Sequence, residues 1–155
     1  MDKTIEVTRA AVIAGLVAGT IDIGAAALIN HVGPALILQG IPSGLIGMKS
    51  YAGGAGTVTL GLALQLAMSI AIAGIYAAAA TRLAWLRTRP VLAGLAFGLG
   101  VFVVMNLIVV PLSAFGPKPA HISLVWLLLN VLAMLVFGVI VATIVRWGFR
   151  RATGG

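Results

Sequence analysis

The sequence predicts an all-α polytopic membrane protein with four transmembrane helices and an interrupted segment between helices one and two. Hydrophobic residues make up 61% of the 155-residue chain and charged residues only 8%, whereas a soluble domain carries about 25% charged residues. Four apolar segments reach the roughly 20 residues that a spanning helix needs. Most of the basic residues gather on one side of these segments. The length fits a single membrane domain, residues 1–155.

The four spanning segments are joined mostly by short connections. We expect them near residues 10–29, 56–80, 91–110 and 122–145. Lys3 and Arg9 before the first segment, with Ala25 and Ala27 near its end, resemble a signal peptide. The apolar run is nevertheless long enough to span, so we expect an uncleaved first helix. Short links make consecutive helices antiparallel neighbours, which favours a four-helix bundle.

The interrupted segment covers residues 34–55, between the first two spans. Its apolar part is too short to cross a bilayer and contains Gly40, Pro42, Gly44 and Gly47. Two interpretations stay open. A re-entrant piece would bring backbone groups to a substrate or an ion, whereas an amphipathic helix would lie on the outer surface. The candidate residues of this segment are Gln39, Ser43, Gly44 and Gly47.

The basic residues predict the orientation. Eight of the ten precede helix one, lie between helices two and three, or follow helix four, while Lys49 and Lys118 lie on the other side. The positive-inside rule therefore places both termini in the cytoplasm. Because the clusters are explained as orientation signals, the net charge of +7 does not indicate nucleic-acid binding. Membrane lipids are the expected surroundings.

Two GxxxG patterns predict close helix packing. They are formed by Gly15 and Gly19 in the first span and by Gly94 and Gly98 in the third. Lipid is as apolar as the helix surfaces, so small residues act by letting backbones approach. Asp22 lies on the same helix face as Gly15 and Gly19, so we expect it to point into the bundle.

Each predicted span carries one strongly polar residue: Asp22, Gln65, Asn106 and Asn130. An unpaired polar group in hydrocarbon costs several kcal/mol, so one per helix suggests that they meet. At a rise of about 1.5 Å per residue, all four lie between about 6 and 13 Å from the outer helix ends. Three roles stay open: an interhelical hydrogen-bonded clamp, a proton or ion site around Asp22, and a ligand site.

Enzyme chemistry is not indicated. The sequence has no glycine-rich phosphate loop, no HExxH motif, no nucleophile elbow and no paired carboxylates. Asp22 alone is too little for general acid–base catalysis. The chain has no cysteine, and His31 and His121 without a nearby carboxylate make a poor metal site. We therefore predict no enzyme activity, no metal and no cofactor.

A pattern of glycine and polar residues runs from the first span through the third. It comprises Gly15, Gly19-Thr20-Ile21-Asp22, Gln39-x-Ile41-x-Ser43-Gly44-Leu45-Ile46-Gly47, Gly53-Gly54, Leu60-Gly61, Tyr76, Gly94, Gly98, Met105-Asn106 and Pro111-Leu112-Ser113. This pattern resembles a family of small bacterial inner-membrane proteins that is distantly YagU-like. The resemblance implies four helices, an inner-membrane location and, in general terms, a link to acid resistance. In that family the position of Gln65 is often histidine and the last helix usually carries another; this chain has neither.

Three functions are compatible with these features. The first is a small transporter or channel-like protein for protons or a small solute, working as an oligomer, with Asp22 central. The second is an accessory subunit that packs into a larger membrane complex through its glycine faces. The third is an envelope stress protein with a structural or lipid-organising role.

Overall fold

The fold is all-α. The computed structural model describes residues 3–114 and 123–153, and every regular element within those ranges is helical. Four helices are long and apolar enough to cross a membrane: Lys3–Asn30, Gly54–Arg82, Pro90–Leu112 and Leu124–Thr153. The predicted fold class, a polytopic membrane protein with four spans, is confirmed.

The spans are longer than the apolar segments that predicted them, because helical backbone hydrogen bonds continue beyond the apolar residues at several ends. The helices are α1 (Lys3–Asn30), α2 (Pro34–Ile46), α3 (Gly54–Arg82), α4 (Ala84–Thr88), α5 (Pro90–Val104), α6 (Val110–Leu112) and α7 (Leu124–Thr153). A 3₁₀ turn (Gly47–Ala52) joins α2 to α3, and a π-helical turn (Met105–Val109) joins α5 to α6.

The order of the long helices across the bundle differs from their order in the chain. Helix α1 packs between α3 and α7, and α7 packs between α1 and α5. Helices α3 and α5 also meet through an edge-on contact between the rings of Tyr76 and Phe97, whose centroids lie 4.9 Å apart. The last helix is therefore a direct neighbour of the first.

The two ends of the bundle carry different residues. We call the end that holds Lys3, Arg82, Arg87, Arg146 and Arg150 the basic end, and the opposite end, where α2 lies, the α2 end. The apolar core lies in the half of the bundle nearer the basic end. Its least exposed members are Ala14, Ala18, Ala73, Tyr76, Ala80, Ala93, Val141, Ala142 and Val145.

Helix α2 is continuous through its glycines and its proline. Pro42 has no N–H to donate to the carbonyl of Leu38, four residues earlier. That carbonyl faces Gly61 of α3, where any Cβ would overlap it. The helix ends at Ile46, and the residue that follows, Gly47, has a φ of 69°, which suits glycine. The interruption thus falls at Gly47, after a 13-residue helix that at about 20 Å is too short to span.

The third span contains a π-helical turn because of Pro111. The Val110 N–H donates to the carbonyl of Met105, five residues earlier. Pro111 has no N–H, and its ring would collide with the carbonyl of Leu107 in a regular helix. The wider turn relieves that collision, and the helix continues through Pro111 to Leu112. Asn106 lies within this turn.

Candidate intramembrane polar site

The site is built around a hydrogen bond between two spans. Gln65 Nε2 of α3 donates to Asp22 Oδ2 of α1 over 2.9 Å. Gln65 is 6% exposed, and Asp22 is half-buried. Two of the four polar residues singled out in the sequence therefore meet, and they connect the first span to the second.

Glycines in α1 bring these two helices together. A Cβ on Gly15 would overlap the backbone of Ile70, and one on Gly19 would lie 2.6 Å from Ser69 Oγ. The helices are antiparallel, so the next step along α1 brings Asp22 opposite Gln65, one turn beyond Ser69. The glycine face sets the register that makes the hydrogen bond possible.

The other glycine pair packs α5 against α7. A Cβ on Gly94 would lie 2.6 Å from Val139 Cα, and one on Gly98 would lie 3.0 Å from Leu135 Cα. Gly138 of α7 reciprocates, since a Cβ there would lie 2.6 Å from the nitrogen of Gly98. Both GxxxG patterns therefore face another helix of the same chain.

Asn106 and Asn130 each bond within their own helix. Asn106 Nδ2 donates to the Phe102 carbonyl over 3.0 Å, and Asn130 Nδ2 donates to the Trp126 carbonyl over 2.8 Å. A short polar side chain on a helix reaches the carbonyl four residues earlier and so avoids an unpaired donor without a second helix. The structure does not bring these two amides into the Asp22–Gln65 pair.

A cavity of about 390 Å³ lies between α1 and α7 and includes Asp22 in its wall. Its lining is almost entirely apolar. It extends along α1 from Ala18 to His31, which at about 1.5 Å per residue is about 20 Å. Asp22 therefore faces Gln65 through one oxygen and also borders an apolar cleft that reaches the α2 end of α1 and opens on the surface of the bundle, where Leu28 and Leu132 are exposed. We call this cleft the Asp22 cavity.

A second contact between α1 and α7 lies at the same end. Trp126 Nε1 donates to Asn30 Oδ1 over 3.1 Å, and Asn30 Nδ2 donates to the Ala26 carbonyl over 2.7 Å. None of the sequence patterns above pairs Asn30 with Trp126. The signal needed to pair them is the adjacency of the first and last helices, which the order of the chain does not give.

Among the candidate residues of the interrupted segment, Gln39 and Gly44 bond to other segments, whereas Ser43 and Gly47 bond within α2 or at its end. Gln39 Nε2 donates to the Gly54 carbonyl over 3.3 Å, and Ser50 Oγ donates to the Gln39 carbonyl over 2.5 Å. Ser43 Oγ donates to the Gly40 carbonyl over 2.5 Å. The Gly44 carbonyl accepts from the Ala114 N–H over 2.8 Å, and the Gly47 N–H donates to the Ser43 carbonyl.

The histidine pair considered in the sequence is not placed by the structure, because His121 lies outside the described residues, as does Lys118. His31 is exposed and borders the Asp22 cavity. Among residues 3–114 and 123–153, no group of three histidine, cysteine or acidic side chains is arranged to hold a metal ion.

Comparisons with family models, curated proteins and solved structures find no match to this chain. The functional argument therefore rests on the Asp22–Gln65 pair and on the cavity beside it. The four spans, the Asp22–Gln65 pair and the cavity together define an α-helical membrane protein in which an intramembrane acid, Asp22, borders an apolar cleft.

Proposed function

We propose that the protein carries protons or a small cationic solute across the membrane, with Asp22 as the group that binds the cation. The observation that carries this proposal is the position of Asp22, hydrogen-bonded to Gln65 and bordering the Asp22 cavity. Ionisable residues inside membrane spans are costly and mark ion pathways, proton relays and ligand counter-ions.

The chemistry of the pair suits a reversible cation site. Gln65 engages Oδ2 of Asp22, and nothing else among the described residues donates a hydrogen bond to this carboxylate. Oδ1 is then free to take a proton or face a cation. An amide has both a donor and an acceptor, so Gln65 can donate to the carboxylate or, after rotation, accept from the protonated acid. Both states of Asp22 would keep a hydrogen bond.

The cavity suits a small occupant. Its volume of about 390 Å³ falls within the range of roughly 300–1,000 Å³ that small-molecule sites occupy. Apolar walls with one carboxylate favour either water that delivers a proton or an organic cation with an apolar body. Ile29 and His31 line the part of the cavity nearest the end of α1, which makes that end the proposed entrance.

Passage to the basic end requires a rearrangement. Beyond Asp22, the space between the helices is occupied by the buried core residues Ala14, Tyr76 and Val141. A chain of four helices has little room for a private pathway, so we propose that the protein works as an oligomer. Native mass spectrometry in mild detergent measures this directly: the proposal predicts a homo-oligomer, and a monomer would contradict it.

The second candidate is an accessory subunit that would use its glycine faces to bind a larger complex. In this chain, Gly19 faces Ser69 and Gly98 faces Met134 and Leu135. A face already packed against a neighbouring helix is not available to a partner. This internal use of both GxxxG faces supports transport over the accessory role.

The test is flux into liposomes that contain the purified protein. With an imposed membrane potential, proton entry is followed with a trapped pH dye, and uptake of ethidium is followed by its fluorescence. The proposal predicts flux above that of empty liposomes and its loss in Asp22→Asn. Asn106→Leu is the matched control, since it removes an intramembrane polar side chain bonded within its own helix. Equal flux in Asp22→Asn and wild type would overturn the proposal.

We also propose that the basic end faces the cytoplasm in a bacterial inner membrane. Eight of the ten basic residues belong to that end or to the segments that lead into it, and the positive-inside rule favours this orientation. A fluorescent protein that matures only in the cytoplasm, fused after Thr153, is expected to fluoresce. A dark fusion at Thr153 with a bright fusion after Lys49 would reverse the orientation.

A further inference from the structure

A groove at the basic end collects three arginines. It lies between α4 and α7 and has a volume of about 390 Å³. Arg87 and Thr88 of α4 line one side, and Arg146, Arg150 and Thr153 of α7 line the other. We call it the arginine groove. In the sequence these arginines served only as orientation signals, because α4 and α7 are far apart in the chain.

Arg87 is held in the groove with part of its hydrogen-bonding capacity unused. Its guanidinium carbon lies 5.1 Å from the centre of the Phe149 ring, and Phe149 is 4% exposed. The Nε atom of Arg87 is buried and has no hydrogen-bond partner within the described residues. Leaving a buried donor unpaired is costly, and more so for a charged group. Because Arg87 lines the groove, a ligand oxygen that draws its guanidinium toward the groove and accepts from Nε would remove that cost.

No acidic side chain among residues 3–114 and 123–153 lines the groove. The chain has three acidic residues. Asp2 lies outside the described residues. Glu6 lies on α1 and pairs with Arg9 over 3.5 Å, and Asp22 pairs with Gln65 within the bundle. In the described part of the chain, the three guanidinium groups of the groove therefore repel one another without a carboxylate between them.

We propose that the arginine groove binds a phosphate group. The planar fork of a guanidinium matches phosphate oxygens in pairs, which makes arginine the preferred residue for such recognition. Basic pockets between membrane helices bind anionic headgroups in the same way. The ligand is therefore a phosphate ester at the bilayer surface or a soluble phosphate. This assignment does not depend on the transport function.

The position of the groove favours a lipid as the source of the phosphate. Trp147 lies on α7 beside Arg146, is exposed, and stacks with Arg151 at 3.9 Å. Tryptophan side chains concentrate at the membrane–water interface, at the level of the headgroups. A phosphate bound between α4 and α7 would lie at that depth, with acyl chains along the apolar surface of the spans.

The experiment compares two triple variants with the same loss of charge. Arg87→Gln/Arg146→Gln/Arg150→Gln removes the groove, and Arg82→Gln/Arg89→Gln/Arg151→Gln removes three exposed arginines of the same end that do not line it. Delipidated protein is titrated with phosphatidylglycerol or phosphatidylcholine by native mass spectrometry, and with inorganic phosphate by calorimetry. We expect the groove variant to bind phosphatidylglycerol about tenfold more weakly or worse, with a much smaller change in the control.

The arms of the titration separate the two sources. Saturable binding of phosphatidylglycerol without binding of inorganic phosphate identifies a lipid headgroup, whereas binding of inorganic phosphate that competes with the lipid identifies a soluble ligand. Equal weakening in both triple variants, or no saturable binding of phosphatidylglycerol together with no phosphate binding, would overturn the proposal.

A milder variant guards against loss of folding. Arg87→Lys keeps the charge but removes the planar fork and the Nε donor. We expect it to bind phosphatidylglycerol several-fold more weakly while its melting temperature stays close to that of the wild type. Unchanged affinity in Arg87→Lys, with the groove triple variant unfolded, would also reject the assignment.

Discussion

The basic half and the α2 half of the same four helices are packed in different ways. In the basic half, Tyr76, Val141 and Val145 are almost completely buried and close the space between the helices. In the other half, the Asp22 cavity lies between α1 and α7, and single polar contacts such as Gln65 to Asp22 and Trp126 to Asn30 add to the packing of α2 against Gly61 of α3. The tightly packed core and the candidate site thus lie in different halves of the bundle.

The difference follows from the side chains on facing helices. Alanine and glycine at the α5–α7 contact allow backbones to touch, so van der Waals contacts accumulate over several turns. At the α2 end, the walls of the Asp22 cavity carry larger side chains such as Leu28, Leu129 and Leu132, which are exposed on the surface of the bundle. Helix α2 packs mainly against the face of α3 that carries Gly61 and also contacts α1.

The largest effect is expected for Gly138→Ala in the closed half. A Cβ at Gly138 would meet the backbone of Gly94 and Gly98, which cannot move aside as a side chain would. Overpacking of this kind costs about 1–3 kcal/mol, and the upper end applies here. The free energy of unfolding in detergent measures it. Gly100→Ala is the control: its Cβ meets nothing within 4 Å, so this change should be neutral or stabilising. Similar losses in both would show that the α5–α7 contact is not tight.

Gly61→Ala should disturb only the α2 half. The new Cβ would overlap the Leu38 carbonyl, so α2 must shift while the core of the bundle stays intact. We expect faster amide hydrogen exchange throughout α2 and a global destabilisation below that of Gly138→Ala, about 1 kcal/mol. Gly56→Ala, where nothing lies within 4 Å, is the control. Uniformly faster exchange in all four spans would show that the two halves are not separable.

Tyr76→Phe tests the hydrogen bond that joins α3 to α4 in the basic half. The Tyr76 hydroxyl donates to the Leu86 carbonyl over 2.9 Å, and the ring contact with Phe97 survives the change. Losing a neutral hydrogen bond with a buried member costs about 1 kcal/mol. The free energy of unfolding from a thermal series should be about 1 kcal/mol lower for Tyr76→Phe than for the wild type. Phe97→Leu tests the ring contact separately. If Tyr76→Phe is as stable as the wild type, the hydrogen bond to Leu86 does not contribute to stability.

The smallest expected effect is the coupling between Asp22 and Gln65. Interhelical hydrogen bonds in membranes average about 0.6 kcal/mol by double-mutant cycles, with values up to about 1.7. A cycle of Asp22→Ala and Gln65→Ala should give a coupling in that range. The matched cycle of Asp22→Ala and Asn130→Ala should give none, since Asn130 bonds to Trp126 of its own helix. Coupling of equal size in both cycles would place Asn130 in the polar site.

Some of this arrangement could be predicted from the sequence, because it depends on one helix at a time. Hydropathy located the four spans, and the spacing of Gly15, Gly19 and Asp22 put the acid on the packed face of α1. The contact of that face with Gln65 follows from antiparallel neighbours joined through α2. Spacing on a single helix and adjacency along the chain were sufficient for this pair.

The rest depends on information that the order of the chain does not carry. Depth alone suggested that Asn106 and Asn130 would join the pair, but depth cannot distinguish an interhelical partner from a carbonyl four residues back in the same helix. The Asn30–Trp126 contact and the arginine groove arise because α7 packs beside α1 and α4. Pro42 and Gly40 suggested a break, but the helix continues: the Leu38 carbonyl, to which Pro42 cannot donate, packs against Gly61 of α3.

Cysteine accessibility tests most directly whether solution reaches Asp22 through its cavity. The chain has no cysteine, so Ala25→Cys and Ala133→Cys, both in the cavity wall, each introduce a single reactive thiol. We predict that a water-soluble cationic methanethiosulfonate labels them about tenfold faster than it labels Ala67→Cys on the exposed face of α3. Asp22→Asn should remove the preference for the cationic over an anionic reagent. If neither cavity position reacts faster than Ala67→Cys, the cavity is closed to water and Asp22 is a structural clamp.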